Sequence, residues 1–194
     1  MNWLAHLLLS GPSPAAQIGG ILPDFANAAE LKAAAQEFQA GIKLHHQIDA
    51  FTDAHPVVKE SVKHVQPRLR RFGGVFVDVY YDHFLSVAWE SYSRQPLSEF
   101  AQAVYDAFEE YQHKIPPSAW QRLENIRAAD ILCSYQDIEG VRTALTRIGS
   151  RMRRPLDLTS GADELESHCE NFRDDFARFF PELVNFVRSN APNA

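Results

Sequence analysis

The chain has 194 residues, the size of one ordinary domain, with 45% hydrophobic and 23% charged residues. Those values exclude global disorder and allow a full apolar core without disulfide or structural-metal staples. Twenty-five Asp plus Glu against 19 Lys plus Arg leave a net charge of −6, which argues against general nucleic-acid binding, and two cysteines make no disulfide framework.

The opening Met1–Leu9 is apolar, but it lacks a basic leader region and is too short to span a bilayer. Buried structure and a cytoplasmic location are therefore expected. Leu31, Ala34, Ala35, Phe38, Ile42 and Ile48 recur at three- to four-residue spacing, which predicts one amphipathic helix over 27–52. Gly41 inside it either bends the helix or admits a neighbouring backbone. Pro56 suits the first turn of a second helix ending near Pro67, and Gly73-Gly74 separates it from a third over about 75–92. Ser98 is expected to cap the next helix, and Ser118 with Gln121 to form a capping box for a helix running toward Cys133. A helix over 137–148 should stop at Gly149. A last one over about 163–180 should kink or restart at Pro181. The sum is an all-α single domain, 1–194, of about seven or more helices, with 190–194 frayed.

Histidine and aspartate crowd the otherwise apolar first 83 residues: His6, Asp24, His45, His46, Asp49, Asp53, His55, Asp78, Asp82 and His83. His45 and Asp49 share one helical face, as do Asp78 and Asp82. The like-charged pair is the sharper clue, because two carboxylates at this spacing repel unless a cation or basic group stands between them. Imidazole and carboxylate donors together suit Mn²⁺, Fe²⁺, Zn²⁺ or Mg²⁺. The plainer reading makes Asp49, Asp53 and Asp78 helix caps or surface ion pairs, and His83 a satisfied core histidine.

Arg142, Arg147, Arg151, Arg153 and Arg154 form a basic stretch with no acid among them, and Lys59, Lys63, Arg68, Arg70 and Arg71 form a smaller one. Either is a solvated face or a clamp for phosphate and acidic partners. Cys133 and Cys169 have no suitably placed histidine for nucleophilic work, and no P-loop, dinucleotide or nucleophile-elbow motif is present.

Several segments resemble the acyl carrier protein phosphodiesterase family, in order and over nearly the whole chain. They are Met1–Leu7, Gly19–Phe25, Gly41–Asp49 with Phe51–Pro56, Asp78–Leu85, Ser150–Pro155 and the His168 segment. The resemblance implies a helical fold distantly similar to HD-type metal-dependent phosphohydrolases. It implies hydrolysis of the 4′-phosphopantetheine diester of holo acyl carrier protein, with a divalent metal, typically Mn²⁺. The matching positions are His6, Asp24, His45, Asp49, Asp53, His55, Asp78, Asp82, His83, Arg151 and Arg154. Among them, Asp24, His45, Asp82 and His83 are expected to bind metal, and His6, Asp49 and Asp78 to support catalysis. His46 stands where the family commonly carries arginine, so phosphate binding falls to Arg151, Arg154 or Lys43. Two other classes compete: an HD-type hydrolase of a nucleotide or other small phosphoester, and a non-enzymatic helical binding module. No membrane or nucleic-acid partner is expected, and the oligomeric state is left open.

Overall fold

A computed structural model describes residues 1–190, and within them every regular element is helical. The α-helices are α1 (Trp3–Leu9), α2 (Pro14–Ile21), α3 (Ala28–Ala33), α4 (Gln39–Ala54), α5 (Pro56–His64) and α6 (Gly73–Val87). They continue as α7 (Leu97–Glu110), α8 (Pro117–Ala128), α9 (Ile131–Ser134), α10 (Ile138–Arg151), α11 (Ser160–Ser167) and α12 (Cys169–Asn190). Short 3-10 turns link several of them, including Leu22–Asp24 after α2. One continuous apolar core joins α1, α2, α6, α7, α10 and α12, so the all-α expectation holds. No helix among the described residues is long and apolar enough to cross a membrane.

The helix expected over 27–52 is three pieces. Ala34 and Ala35 take extended ψ angles of 150° and 143°, and the Gln39 amide donates to the carbonyls of Leu31 and Ala34 left open by the break. The turn lets Phe38 bury completely against Tyr111. The capping box sits at Asn27 and Glu30; Ser118 instead donates its hydroxyl to Glu30 from the first turn of α8. Neither Ser98 nor Ser118 caps a helix, because Pro96 and Pro116 hold the cap positions.

The run toward Cys133 divides at Asp130, which adopts a left-handed φ of 42° while its carboxylate accepts from Tyr105 Oη at 3.0 Å. Asp137 caps α10 through the Gly140 amide. Gly149 does not end that helix; it lies inside it, where a Cβ would strike the Leu156 carbonyl as the chain folds back. At the C-terminal end, the helix expected over 163–180 breaks at His168 into α11 and α12. Helix α12 then runs through Pro181 to Asn190, driven by its buried stripe of Phe172, Phe176, Phe179, Phe180, Leu183 and Val187. The expected fraying concerns residues that lie outside the described region, apart from Asn190, whose amide donates to the Phe186 carbonyl.

Candidate metal centre

Helix α2 packs on α4 more extensively than any other pair of elements, because glycine faces glycine at their crossing. That closeness has a chemical consequence. His45, on α4, donates its Nδ1–H to the Gly20 carbonyl of α2 at 2.8 Å. With one proton fixed there, loss of the other leaves an Nε2 lone pair open toward Asp49 and Asp24. A backbone carbonyl behind an imidazole is the usual support of a metal-binding histidine.

His45 Nε2 faces Asp49 Oδ2 at 3.0 Å, one turn further along α4, and Asp24 Oδ1 at 4.0 Å, at the end of the 3-10 turn after α2. His6 comes from α1. Its ring stacks on that of His45 with centroids 4.1 Å apart, and its Nε2 lies 3.2 Å from Asp49 Oδ1. Donor atoms of His6, His45 and Asp49 all fall within 4.8 Å of one another.

The electrostatics of the cluster follow from burial set against its own charges. Burial pushes His6 down to about 4, against the pull of Asp49, so its ring is neutral. Neither His6 ring nitrogen has a hydrogen-bond partner although both are buried. Such orphaned atoms are costly in a core. Burial alone would raise Asp49, but the hydrogen bond from His45 and the attraction of both imidazoles hold it below the ordinary carboxylate range. His45 is raised despite burial, through Asp49 and Asp24. Asp24 is raised chiefly by desolvation, while 37% of its side chain stays open. Two imidazoles and one or two carboxylates converging on a point fit a divalent cation of the Mn²⁺, Fe²⁺ or Zn²⁺ type, and the orphaned His6 Nε2 would gain a partner from one.

The remaining expected residues do not join this cluster. Asp82 is fully buried and accepts from the Leu4 amide at 2.7 Å and the Ala5 amide at 3.2 Å, so it caps α1 from α6. Asn2, at the cap position itself, donates its amide to Tyr135 Oη instead. His83 donates its Nδ1–H to the Tyr135 carbonyl at 2.7 Å. The expectation of an adjacent Asp-His pair at the metal gives way here to imidazoles from α1 and α4. Asp78 pairs with the Met1 ammonium at 3.0 Å, which is the basic partner that the Asp78/Asp82 spacing demanded. His55 caps α5 through the Val57 amide and approaches Glu182 at 3.2 Å, whereas Asp53 and Lys43 are exposed on α4.

A cleft of about 360 Å³ opens at Asp24 and is lined as well by Asp78, Arg122 and Arg151. Trp3, Val75, Val79, Ile148 and Met152 give it apolar walls. Arg154 is exposed and is not among its lining residues. Arg142 is withdrawn from any clamp, because α11 supplies Asp163 at 3.0 Å and Glu166 at 3.9 Å. Arg122 escaped the sequence reading: nothing in α8 marks it, and only the tertiary fold brings it to Asp24's cleft. Burial and a hydrogen bond donated to the Asp130 carboxylate raise the Cys133 thiol to about 12, which agrees with its dismissal as a nucleophile.

The family profile described as "Acyl carrier protein phosphodiesterase" matches residues 1–183. An Escherichia coli (strain K12 / DH10B) protein of that name is 30% identical over 188 residues, covering 95% of this chain and 96% of the relative. Its namesakes from Enterobacter sp. (strain 638) and Pectobacterium atrosepticum are 29% and 25% identical, over 95% and 97% of this chain and 96% and 98% of their own lengths. No solved structure matches the chain. With His6, Asp24, His45 and Asp49 gathered at one point and the match running through all four, the chain belongs to the acyl carrier protein phosphodiesterase family.

Proposed function

We propose that this protein is a phosphodiesterase that hydrolyses holo acyl carrier protein, giving apo carrier protein and free 4′-phosphopantetheine in the cytoplasm. The observation that carries this reading is the His6–His45–Asp49 cluster, which opens through Asp24 onto a cleft edged with arginine. The relatives' shared name describes an activity of the same kind.

His6, His45 and Asp49 would hold a divalent cation, Mn²⁺ first, with Mg²⁺, Fe²⁺ or Zn²⁺ as alternatives. Such a cation, when bound, neutralises phosphoryl charge and lowers the pKa of water. Asp49 keeps both imidazoles turned toward one point. Asp24, on the cleft side and with its carboxyl raised by desolvation, suits the handling of a proton. It takes one from the attacking water as the water oxygen bonds to phosphorus. The bond from phosphorus to the serine oxygen breaks, and the proton passes to that oxygen. Arg151, which lines the same cleft, holds phosphoryl oxygens. Asp82 acts through α1 by fixing the helix that bears His6, and Asp78 anchors Met1 at the cleft wall. Lys43 and Arg154, outside the cleft, add to the basic surface that meets an acidic carrier protein.

The test is the mass of holo carrier protein incubated with the purified chain. Loss of the phosphopantetheine arm is expected with Mn²⁺, and no loss with a chelator or with His45→Gln. Turnover that survives both would overturn the metal-dependent reading. A chain that binds carrier protein without removing the arm would be a binding module instead.

A further inference from the structure

Arg151 stands in an unusual setting for a surface arginine. Burial and the neighbouring charges of Arg122 and Arg147 depress its pKa, and no carboxylate is set against it among the charges acting on it. Arg147 precedes it by one turn on α10, and Arg122 reaches the same cleft from α8. Elsewhere on α10 the structure neutralises its arginine: Arg142 meets Glu139 and Asp163. Arg122 and Arg151 line the cleft onto which Asp24 of the metal-type cluster opens, neither has an ion-pair partner among the described residues, and together they suit an anionic group between them.

The shape of the cleft adds a second requirement. Past the arginines its wall is Val75, Val79, Ile148 and Met152, too apolar for a bare phosphate ion. We propose that Arg122 and Arg151 form the phosphate-binding edge of this cleft, and that its apolar wall receives the extended amide chain of the phosphopantetheine arm. This rests on the function proposed above and names the residues that select its substrate. A phosphoester with a compact polar leaving group would satisfy the arginines and leave the apolar wall uncovered. The arm satisfies both, because it carries one phosphate at the end of a long, weakly polar chain.

Binding to the full chain in Mn²⁺ buffer, measured by isothermal titration, tests the assignment without relying on turnover. The probes are free 4′-phosphopantetheine, pantetheine without phosphate, and inorganic phosphate. Phosphopantetheine should bind at least about tenfold more tightly than either fragment, since each supplies only one of the two contacts. Arg122→Gln and Arg151→Gln should each weaken phosphopantetheine by about tenfold, the usual loss of a charge-assisted contact, and leave pantetheine unaffected. Met152→Ser should weaken phosphopantetheine and pantetheine and spare inorganic phosphate. Circular dichroism of each variant checks that the fold persists. Unchanged affinity in both arginine variants, or phosphopantetheine no tighter than phosphate, overturns the assignment. An arm that binds as described to a chain that never hydrolyses holo carrier protein would remove the proposed hydrolase while leaving the cleft assignment standing. Normal hydrolysis with indifferent arginine variants would do the reverse.

Discussion

Gly41 and Gly20 touch across the crossing of α2 and α4: a Cβ on Gly41 would fall 2.6 Å from the Gly20 amide nitrogen and collide with the Ala16 carbonyl. The obstruction would come from backbone, which cannot swing aside as a flexible side chain can. The same approach lets His45 Nδ1 reach the Gly20 carbonyl, one turn along α4. Helix packing and ligand orientation are therefore one feature.

Gly41→Ala should force the two helices apart. An expected loss of about 3 kcal/mol, the upper end for overpacking, would appear in urea denaturation. Mn²⁺ should then raise the melting temperature of the variant less than that of the wild type. A variant as stable as the parent would show that the crossing has slack.

The metal-free protein should lose stability in acid through His6. Burial holds His6 at about 4 in the folded chain against 6.5 when exposed. Its folded value is depressed, so as pH falls from 6.5 toward 4 the unfolded chain takes up a proton that the folded one refuses. The stability present above pH 6.5 is lost across that window, by roughly 3 kcal/mol for this single group. Thermal melts in chelator should show the wild type falling relative to His6→Gln over that range, with a constant difference above it. Parallel curves would contradict the buried, neutral imidazole.

Asp82→Ala would leave the Leu4 and Ala5 amides buried without an acceptor, at a cost of roughly 3 kcal/mol. Asp82→Asn keeps one acceptor oxygen and should cost less. Burial also raises the Asp82 carboxyl to about 7 despite those two amides. Because its folded value lies above the unfolded 3.8, wild-type stability should decline as pH climbs from about 4 to 7 and level off above it, and the Asn variant should not share that decline. Equal pH profiles in denaturant titrations would speak against it.

Arg142→Gln should leave hydrolysis of holo carrier protein intact, because Arg142 is tied to Asp163 and the Thr159 carbonyl rather than to the cleft. The expected change is faster hydrogen exchange in α11 and in the turn before it. A large fall in turnover would restore the residue to the phosphate clamp.

Histidine and aspartate were legible in sequence because ionisable groups are conspicuous in apolar segments, and the four-residue spacing of His45 and Asp49 placed them on one face correctly. Asp78 and Asp82 share a face as well, yet one reaches the cleft edge and the other the N-terminus of α1. Spacing sets direction around a helix, not what lies opposite. Arg142 and Arg151 looked alike for the same reason, until α11 returned its acids to one of them.

The amino-acid order alone determined an all-helical chain, its chemically loaded N-terminal half and the family to which it is similar, because periodicity, residue type and short motifs are local properties. Folding decided which imidazoles converge, that α6 offers a cap where a ligand was expected, and that Arg122 joins Arg151 beside Asp24. Those outcomes depend on contacts between segments far apart in the chain, where the distance of closest approach is set by packing, above all by glycine against glycine.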